Sequence, residues 1–253
     1  MRGQGRKIVI VLAAIAYVAA CLSVVLGDVA TPRPQWTTVR LDSETVRITL
    51  GEKRVRVVAT FQMYNEGKAS PVRMGYPLGV FETALNDFTV SVDGKPVAAV
   101  RTQAGSPAAR RPMMRGRRKP GGPAAEPYRF QGPYKQWKVW DVAMDAKGTT
   151  TVKVTYWVQP AKVADADKNA LLHYTYTLRT GATWKGKISS ADITVKLDDV
   201  APGALVRVVP VGAKKSNGGK TFTWAMRNFK PTDDIEITYK PSGTVTTAMR
   251  TEK

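Results

Sequence analysis

Six cations fall within ten consecutive positions of this chain: Arg110, Arg111, Arg115, Arg117, Arg118 and Lys119. Guanidinium groups pair bidentately with phosphate and carboxylate, so a cluster of this kind is suited to anionic polymers or anionic lipid surfaces. Only Met113 and Met114 are large apolar residues inside it. The absence of interleaved aromatics that stack on bases argues against nucleic acid. No acidic residue occurs between Asp93 and Glu126. The stretch 102–133, rich in Pro and Gly, therefore reads as a long basic surface loop that would order on an anionic partner. A second constellation is aromatic. Tyr128, Phe130, Tyr134, Trp137 and Trp140 crowd into 13 positions. Tyr128, Tyr134, Trp137 and Trp157 lie in the loop or opposite an aliphatic stripe, which makes them the candidates for stacking on sugar rings.

Residues for covalent or metal chemistry are scarce. His173 is the single histidine and Cys21 the single cysteine, so neither a nucleophile–base dyad nor a metal site can be assembled from these types. No Gly-x-Ser-x-Gly elbow is present, and Gly218-Gly219 reads as a hairpin turn rather than a phosphate cradle. Asp165, Asp167 and Asn169 imitate the start of a calcium loop, but Ala170 stands where the loop needs Gly and Tyr176 where it needs Glu. There remain 20 carboxylates, of which a glycoside hydrolase would need two facing each other about 5–10 Å apart. The expectation is a non-catalytic protein without cofactor or metal. Carboxylate-based glycoside hydrolysis is its remote alternative.

The charge balance has the same sense as the basic cluster. Lys and Arg number 39 against 20 acidic residues, a formal net charge of +19. Such a surface is drawn to polyanions. At the N-terminus Arg2, Arg6 and Lys7 precede an uncharged run from Ile8 to Gly27, the order found in export signals. Three fates of residues 1–27 are open. One is cleavage before Asp28. A second is retention as a hydrophobic helix, for which residues 8–27 are long enough to span a bilayer. The third is lipidation at Cys21, because Val18-Ala19-Ala20-Cys21 resembles a lipobox. Each fate puts the rest of the chain outside the cytoplasm, whether secreted, periplasmic or anchored facing outward.

The elements that would position these residues are strands. Val46, Ile48 and Leu50 alternate with polar residues, and Val55 to Met63 repeat the pattern after Gly51-Glu52, which makes a hairpin. Val72 to Tyr76 form a third run. Phe88 to Val92 lead through Asp93-Gly94, a two-residue turn, to a return strand at Val97 to Val100. Trp140 to Met144 and Val152 to Val158 read as a second hairpin around Lys147-Gly148. A helical turn or polar linker is expected over 161–169. Strands then follow at Leu172 to Leu178, Ile193 to Leu197, Leu205 to Val209, Phe222 to Met226 and Ile235 to Tyr239. The reading is all-β, a mostly antiparallel β-sandwich-like architecture. It has one large or two smaller domains, with an N-terminal part over 28–160, a C-terminal part over 168–243 and a flexible tail over 244–253.

Four segments carry a family likeness. They are Val55 to Pro77 with Asn65 and Gly67 between strands; Trp137 to Trp140 leading to Val152 to Tyr156; the run from Leu178 to Ile188 with its Thr-Gly-x-x-Trp-x-Gly-x-Ile pattern; and Phe229 to Ile235 with Pro-Thr-Asp-Asp-Ile. Together they resemble a family of exported bacterial β-proteins known as a domain of unknown function. The resemblance implies export and a β fold, and it supplies no reaction and no catalytic residues. The Arg-rich loop departs from the family pattern. The function expected is thus an exported or envelope-associated binding or structural module for anionic polymers or membrane surfaces. A glycan-binding module using exposed aromatics is the alternative.

Overall fold

The computed structural model describes residues 38–78, 85–104, 134 and 136–242. Residues 1–37 with Cys21, the cluster from Arg110 to Lys119, Tyr128 and the tail fall outside the described residues. In chain order the strands are β1 (Val39–Leu50), β2 (Val55–Asn65), β3 (Ser70–Leu78), β4 (Asn86–Val92), β5 (Lys95–Pro96), β6 (Arg101–Ala104), β7 (Gln136–Met144) and β8 (Thr149–Val158). They continue as β9 (Ala161–Ala164), β10 (Ala170–Tyr176), β11 (Ile188–Leu197), β12 (Leu205–Val209), β13 (Lys214–Ser216), β14 (Thr221–Phe229) and β15 (Ile235–Tyr239).

They form three sheets. The largest has the order β13-β14-β11-β1-β2-β8-β4-β5, a second is β12-β15-β10-β9 and a third is β3-β7-β6. Strand β1 runs parallel to β11. Every other described pairing is antiparallel. One sheet thus draws strands from both sides of segment 161–169, and a single apolar cluster contains Val46 and Phe61 together with Tyr174 and Ile237. Apolar residues at period two make this possible, because each strand buries one row and leaves the other to water. Three tyrosines tie the layers with their hydroxyls. Tyr76 donates to Tyr156 Oη at 2.6 Å, Tyr176 to Glu44 Oε1 at 2.7 Å, and Tyr239 to the Gly51 carbonyl at 2.8 Å.

Two expectations need correction. The β7 and β8 strands do not pair: β7 lies between β3 and β6, while β8 lies between β2 and β4. Their turn is a corner between sheets, and alternation cannot distinguish a corner from a hairpin because both turn apolar rows toward the same core. The corner is knotted by Asn65, whose amide nitrogen donates to the Lys68 and Asp145 carbonyls at 2.8 and 3.0 Å. A Cβ at Gly67 would stand 2.6 Å from Thr38 Oγ1, so only glycine fits there. The return strand after Asp93-Gly94 is at Lys95–Pro96 rather than at Val97 to Val100. Lys95 and Pro96 pair with β4, the Val97 N–H adds one bond to the Val90 carbonyl at 2.9 Å, and the chain then leaves for the three-stranded sheet as β6.

Segment 161–169 contains strand β9 and an Asp turn rather than a helical turn. Asp165 Oδ1 accepts from the backbone N–H groups of Asp167 and Asn169 at 3.0 and 2.8 Å. This is the local bonding by which Asp favours turns over helix interiors. The run from Leu178 to Ile188 is a short 3-10 turn over Arg179–Thr183, with Trp184 buried in the core beyond it. Asp234 fixes its start. The buried Asp234 carboxylate accepts from the N–H groups of Leu178 and Arg179 at 2.9 and 3.1 Å and pairs with the Arg179 guanidinium at 2.7 Å.

Candidate functional site

The outward row of β1 carries Arg47 and Thr49, both exposed, because Val46, Ile48 and Leu50 turn inward. Pairing brings matching rows beside it. Thr49 stands opposite Arg56 of β2 on one side and Lys196 of β11 on the other. Arg47 stands opposite Val58 and Thr194, one pleat back. Neighbouring strands are about 5 Å apart and diagonal neighbours about 7–8 Å. Arg47, Arg56 and Lys196 therefore surround Thr49 in a triangle with sides of about 7–10 Å.

The same face continues in both directions. Lys153 of β8 lies opposite Thr60 and Lys214 of β13 opposite Thr223, and both lysines are exposed. None of Arg47, Arg56, Lys153, Lys196 and Lys214 forms an ion pair among the described residues. Acidic groups on this side are few. Asp192 is engaged by Arg227 at 2.9 Å, Asp87 accepts from the Trp157 indole at 2.9 Å, and Asp198 is exposed two residues beyond Lys196. The result is a Thr-lined sheet face with clustered positive charge, whose potential attracts polyanions.

Trp157 lies in this face next to Arg56, with which it pairs across β2 and β8. It is half-buried, and its indole Nε1–H donates to Asp87 Oδ2 at 2.9 Å. Asp87 reaches it from an irregular point in β4, where pairing shifts between Asn86 and Thr89 and Asp87 adopts φ 51°. The ring is thus pinned at one edge beside a guanidinium. Of the three aromatic candidates among the described residues it is the one held on the outer sheet face. Tyr134 and Trp137 are buried instead: their rings meet edge to face at 5.0 Å, and with Val139 they form a separate apolar cluster on the far side of β7 from Trp140. A buried ring has no face for a sugar, so these two are corrected to packing residues. Tyr128 and the six cations from Arg110 to Lys119 lie outside the described residues. The segment that holds them begins and ends at a closed ladder, with Ala104 paired to Gln136.

Buried carboxylates have structural partners. Glu44 sits on the inner face because a bulge in β1, between Leu41 and Ser43, resets the alternation. Burial pushes its carboxyl up to about 7, with the Tyr176 hydroxyl acting in the opposite direction. Its Oε2 has no hydrogen-bond partner among the described residues. Asp234 is occupied as the cap described above. His173 is partly buried, with Nδ1 2.9 Å from Thr238 Oγ1 and Nε2 3.0 Å from Thr175 Oγ1. Burial first, and then the charge of Arg207, hold its pKa below the usual imidazole value. Among the described residues no group of three or more His, Cys, Asp or Glu could hold a metal ion.

The sequence from β9 through most of β15 has a known relative. Residues 161–238 match the family described as a domain of unknown function, DUF4424. The DUF4424 segment takes in the Leu178–Ile188 run and its Asp234 cap, together with Lys196 and Lys214 of the basic face. No curated protein matches the sequence. Among solved structures, one similar fold is a "putative nutrient binding protein" from Legionella pneumophila subsp. pneumophila str. Philadelphia 1. Its TM-score is 0.63 at 15% identity, over 86% of this chain and 71% of that one. Yeast LTA4 hydrolase, in complex with bestatin, gives 0.40 at 10% identity over 79% of this chain and 28% of that one. An M1 zinc metallopeptidase from Deinococcus radiodurans gives 0.38 at 12% over 81% and 42%. The Legionella likeness is one of fold; the other two are too low to bear on function.

Proposed function

We propose that this protein is an exported, envelope-associated binding or structural module without catalytic activity, which engages anionic polymers or anionic membrane surfaces. The observation that carries the reading is the triangle of Arg47, Arg56 and Lys196 around Thr49, without ion pairs among the described residues and extended by Lys153 and Lys214. The Arg110–Lys119 cluster adds a second basic element. Residues 8–27, as an anchor or through lipidated Cys21, would hold both beside a membrane. A Lys or Arg near an anionic membrane surface contributes about 1 kcal/mol. Replacing Arg47, Arg56 and Lys196 together by Gln should therefore weaken binding to phosphatidylglycerol vesicles by roughly 100-fold. Cosedimentation of residues 28–253 with these vesicles tests it. Unchanged retention by the triple variant rejects the sheet face, and equal binding to neutral vesicles rejects the anionic partner.

A second reading has its own observation in Trp157, pinned by Asp87 beside Arg56. A glycan stacked there would be retained on a polysaccharide column independently of salt, and Trp157→Ala would release it. Salt-sensitive retention that survives Trp157→Ala rejects the glycan reading.

A further inference from the structure

The lateral end of the sandwich, at the β13 margin of the large sheet, holds a groove of about 420 Å³ between two edge strands. Strand β12 is the edge of the four-stranded sheet and β13 the edge of the large one, so neither has a partner on its outer side among the described strands. Residues 210–213 connect them. The Trp224 indole N–H holds the Pro210 carbonyl at 3.0 Å, and Gly212 turns the chain with φ 94°. At the opposite end the chain entering β12 meets the chain leaving β13, since a Cβ at Gly219 would lie 3.4 Å from Pro202 Cβ. The groove is therefore framed at both ends. That geometry suits a bounded ligand better than a strand running through.

Its lining is mixed: Leu205, Val206, Val208 and Val211 on one side and Phe222 on the other supply the apolar part, and Arg207, Lys215 and backbone at Gly212 and Gly219 the polar part. Val206 and Val211 are 53% and 89% exposed, the two large apolar side chains most open to water among the described residues. Two cations line the groove, Arg207 and Lys215. Lys215 pairs with Phe222 across β13 and β14 and so shares the inward face, where its ammonium stands 5.6 Å from the Phe222 ring centroid. No acidic residue pairs with Lys215 among the described residues, whereas Arg207 at the rim is engaged by Glu236 at 3.4 Å. An ammonium with no acidic partner among the described residues, over an aromatic ring and beside a row of valines in a groove of ligand-site size, defines a complementary shape and charge.

We propose that this groove binds an amphipathic anion, a linear apolar chain ending in a carboxylate. The carboxylate pairs with Lys215 and the chain lies along Val206, Val208 and Val211. This site uses the inward row of β13, opposite to Lys214 of the basic sheet face, and does not depend on Arg47, Arg56 or Lys196.

The test uses decanoate, below its micellar concentration, as the probe for residues 28–253, followed by calorimetry and by backbone amide shifts. Decanoate should bind saturably at one site and shift the amides of Val206, Val208 and Lys215. Decanol, with the same chain and no charge, should bind about tenfold more weakly. Lys215→Met should weaken decanoate by a similar factor and leave decanol unchanged. Val206→Asp with Val211→Asp, both at exposed positions, should abolish decanoate binding without unfolding the protein. The Arg47, Arg56 and Lys196 triple variant should bind decanoate as the wild type does, which separates this site from polyanion binding. Absence of saturable binding, or decanoate binding unchanged in Lys215→Met, overturns the proposal. A concentration-dependent dimer that shifts the same amides while decanoate has no effect would assign the groove to a second copy and overturn it equally.

Discussion

Replacing Glu44 by glutamine should remove a pH-dependent loss of stability that the wild type carries through neutrality. The Glu44 side chain is 1% exposed, faces the core from β1, and accepts one hydrogen bond, from Tyr176. Burial raises its pKa from 4.5 to about 7. The sign follows from which state binds protons. Below pH 4.5 the carboxyl is protonated in both states and contributes nothing to the pH dependence. Between 4.5 and about 7 the unfolded chain releases its proton while the folded one keeps it, so stability falls as pH rises. Above about 7 both are ionised and the full cost stands. At 1.36 kcal/mol for each pH unit, that cost is about 3 kcal/mol.

Glutamine keeps the shape and the acceptor for Tyr176 but cannot ionise. Urea unfolding of both proteins from pH 4.5 to 8.5 gives the difference directly. His173 titrates in the opposite sense: its lowered folded pKa makes stability fall as pH drops through the ordinary imidazole range. Because both proteins keep His173, that contribution cancels in the difference. The stability of Glu44→Gln relative to wild type should climb by about 3 kcal/mol from the acid to the alkaline end. Two parallel curves separated by a constant would refute the buried, uncharged carboxyl.

Three further outcomes follow from the packing. Asp234→Ala should cost about 2–4 kcal/mol, because it strips the cap from the Leu178 and Arg179 N–H groups and leaves buried donors unmade; chemical denaturation at pH 7 reads it, and a loss below 0.5 kcal/mol would contradict the cap. Trp137→Ala should cost about 3–5 kcal/mol and Trp157→Ala within about 1 kcal/mol, by the same assay, since one ring is buried and the other lies on an open face. Reversal of that order would contradict the assignment of the two faces. Tyr176→Phe should raise the Glu44 pKa further by removing the hydrogen bond that favours its charged form, so the fall in stability should begin at the same pH but extend to higher pH in the same titration.

Much of this architecture is legible in the chain because alternation reports burial locally. The rows Val46-Ile48-Leu50 and Val152-Val154-Tyr156 mark their strands without any knowledge of partners. The partners themselves are set at long range. The parallel pairing of β1 with β11 joins Arg47 to Thr194, a neighbour that no local pattern announces. The same reason hid the basic face. Arg47, Arg56, Lys153 and Lys196 each occupy the polar row of an alternating strand and read singly as solvated residues; register turns them into one surface. Trp137 shows the converse. It lies opposite the Trp140–Met144 stripe and so reads as exposed, yet Tyr134 and Val139 make a second apolar cluster on that side of β7. The Asp-Asp-Ile run at 233–235 was legible as a turn, but not as the cap of a segment more than 50 residues earlier, since Asp234 reaches Leu178 across 56 positions.

The most direct test of the central claim is a salt titration of binding to phosphatidylglycerol vesicles, comparing wild type with the Arg47, Arg56 and Lys196 triple variant. Exposed charges lose their attraction as salt shortens the screening length from about 10 Å at 0.1 M to about 3 Å at 1 M. Wild-type binding should fall steeply over that range, and the triple variant should start weaker and fall with a visibly shallower slope. Binding that is indifferent to salt, or identical slopes for the two proteins, would contradict an anionic partner held on the outer face of the large sheet.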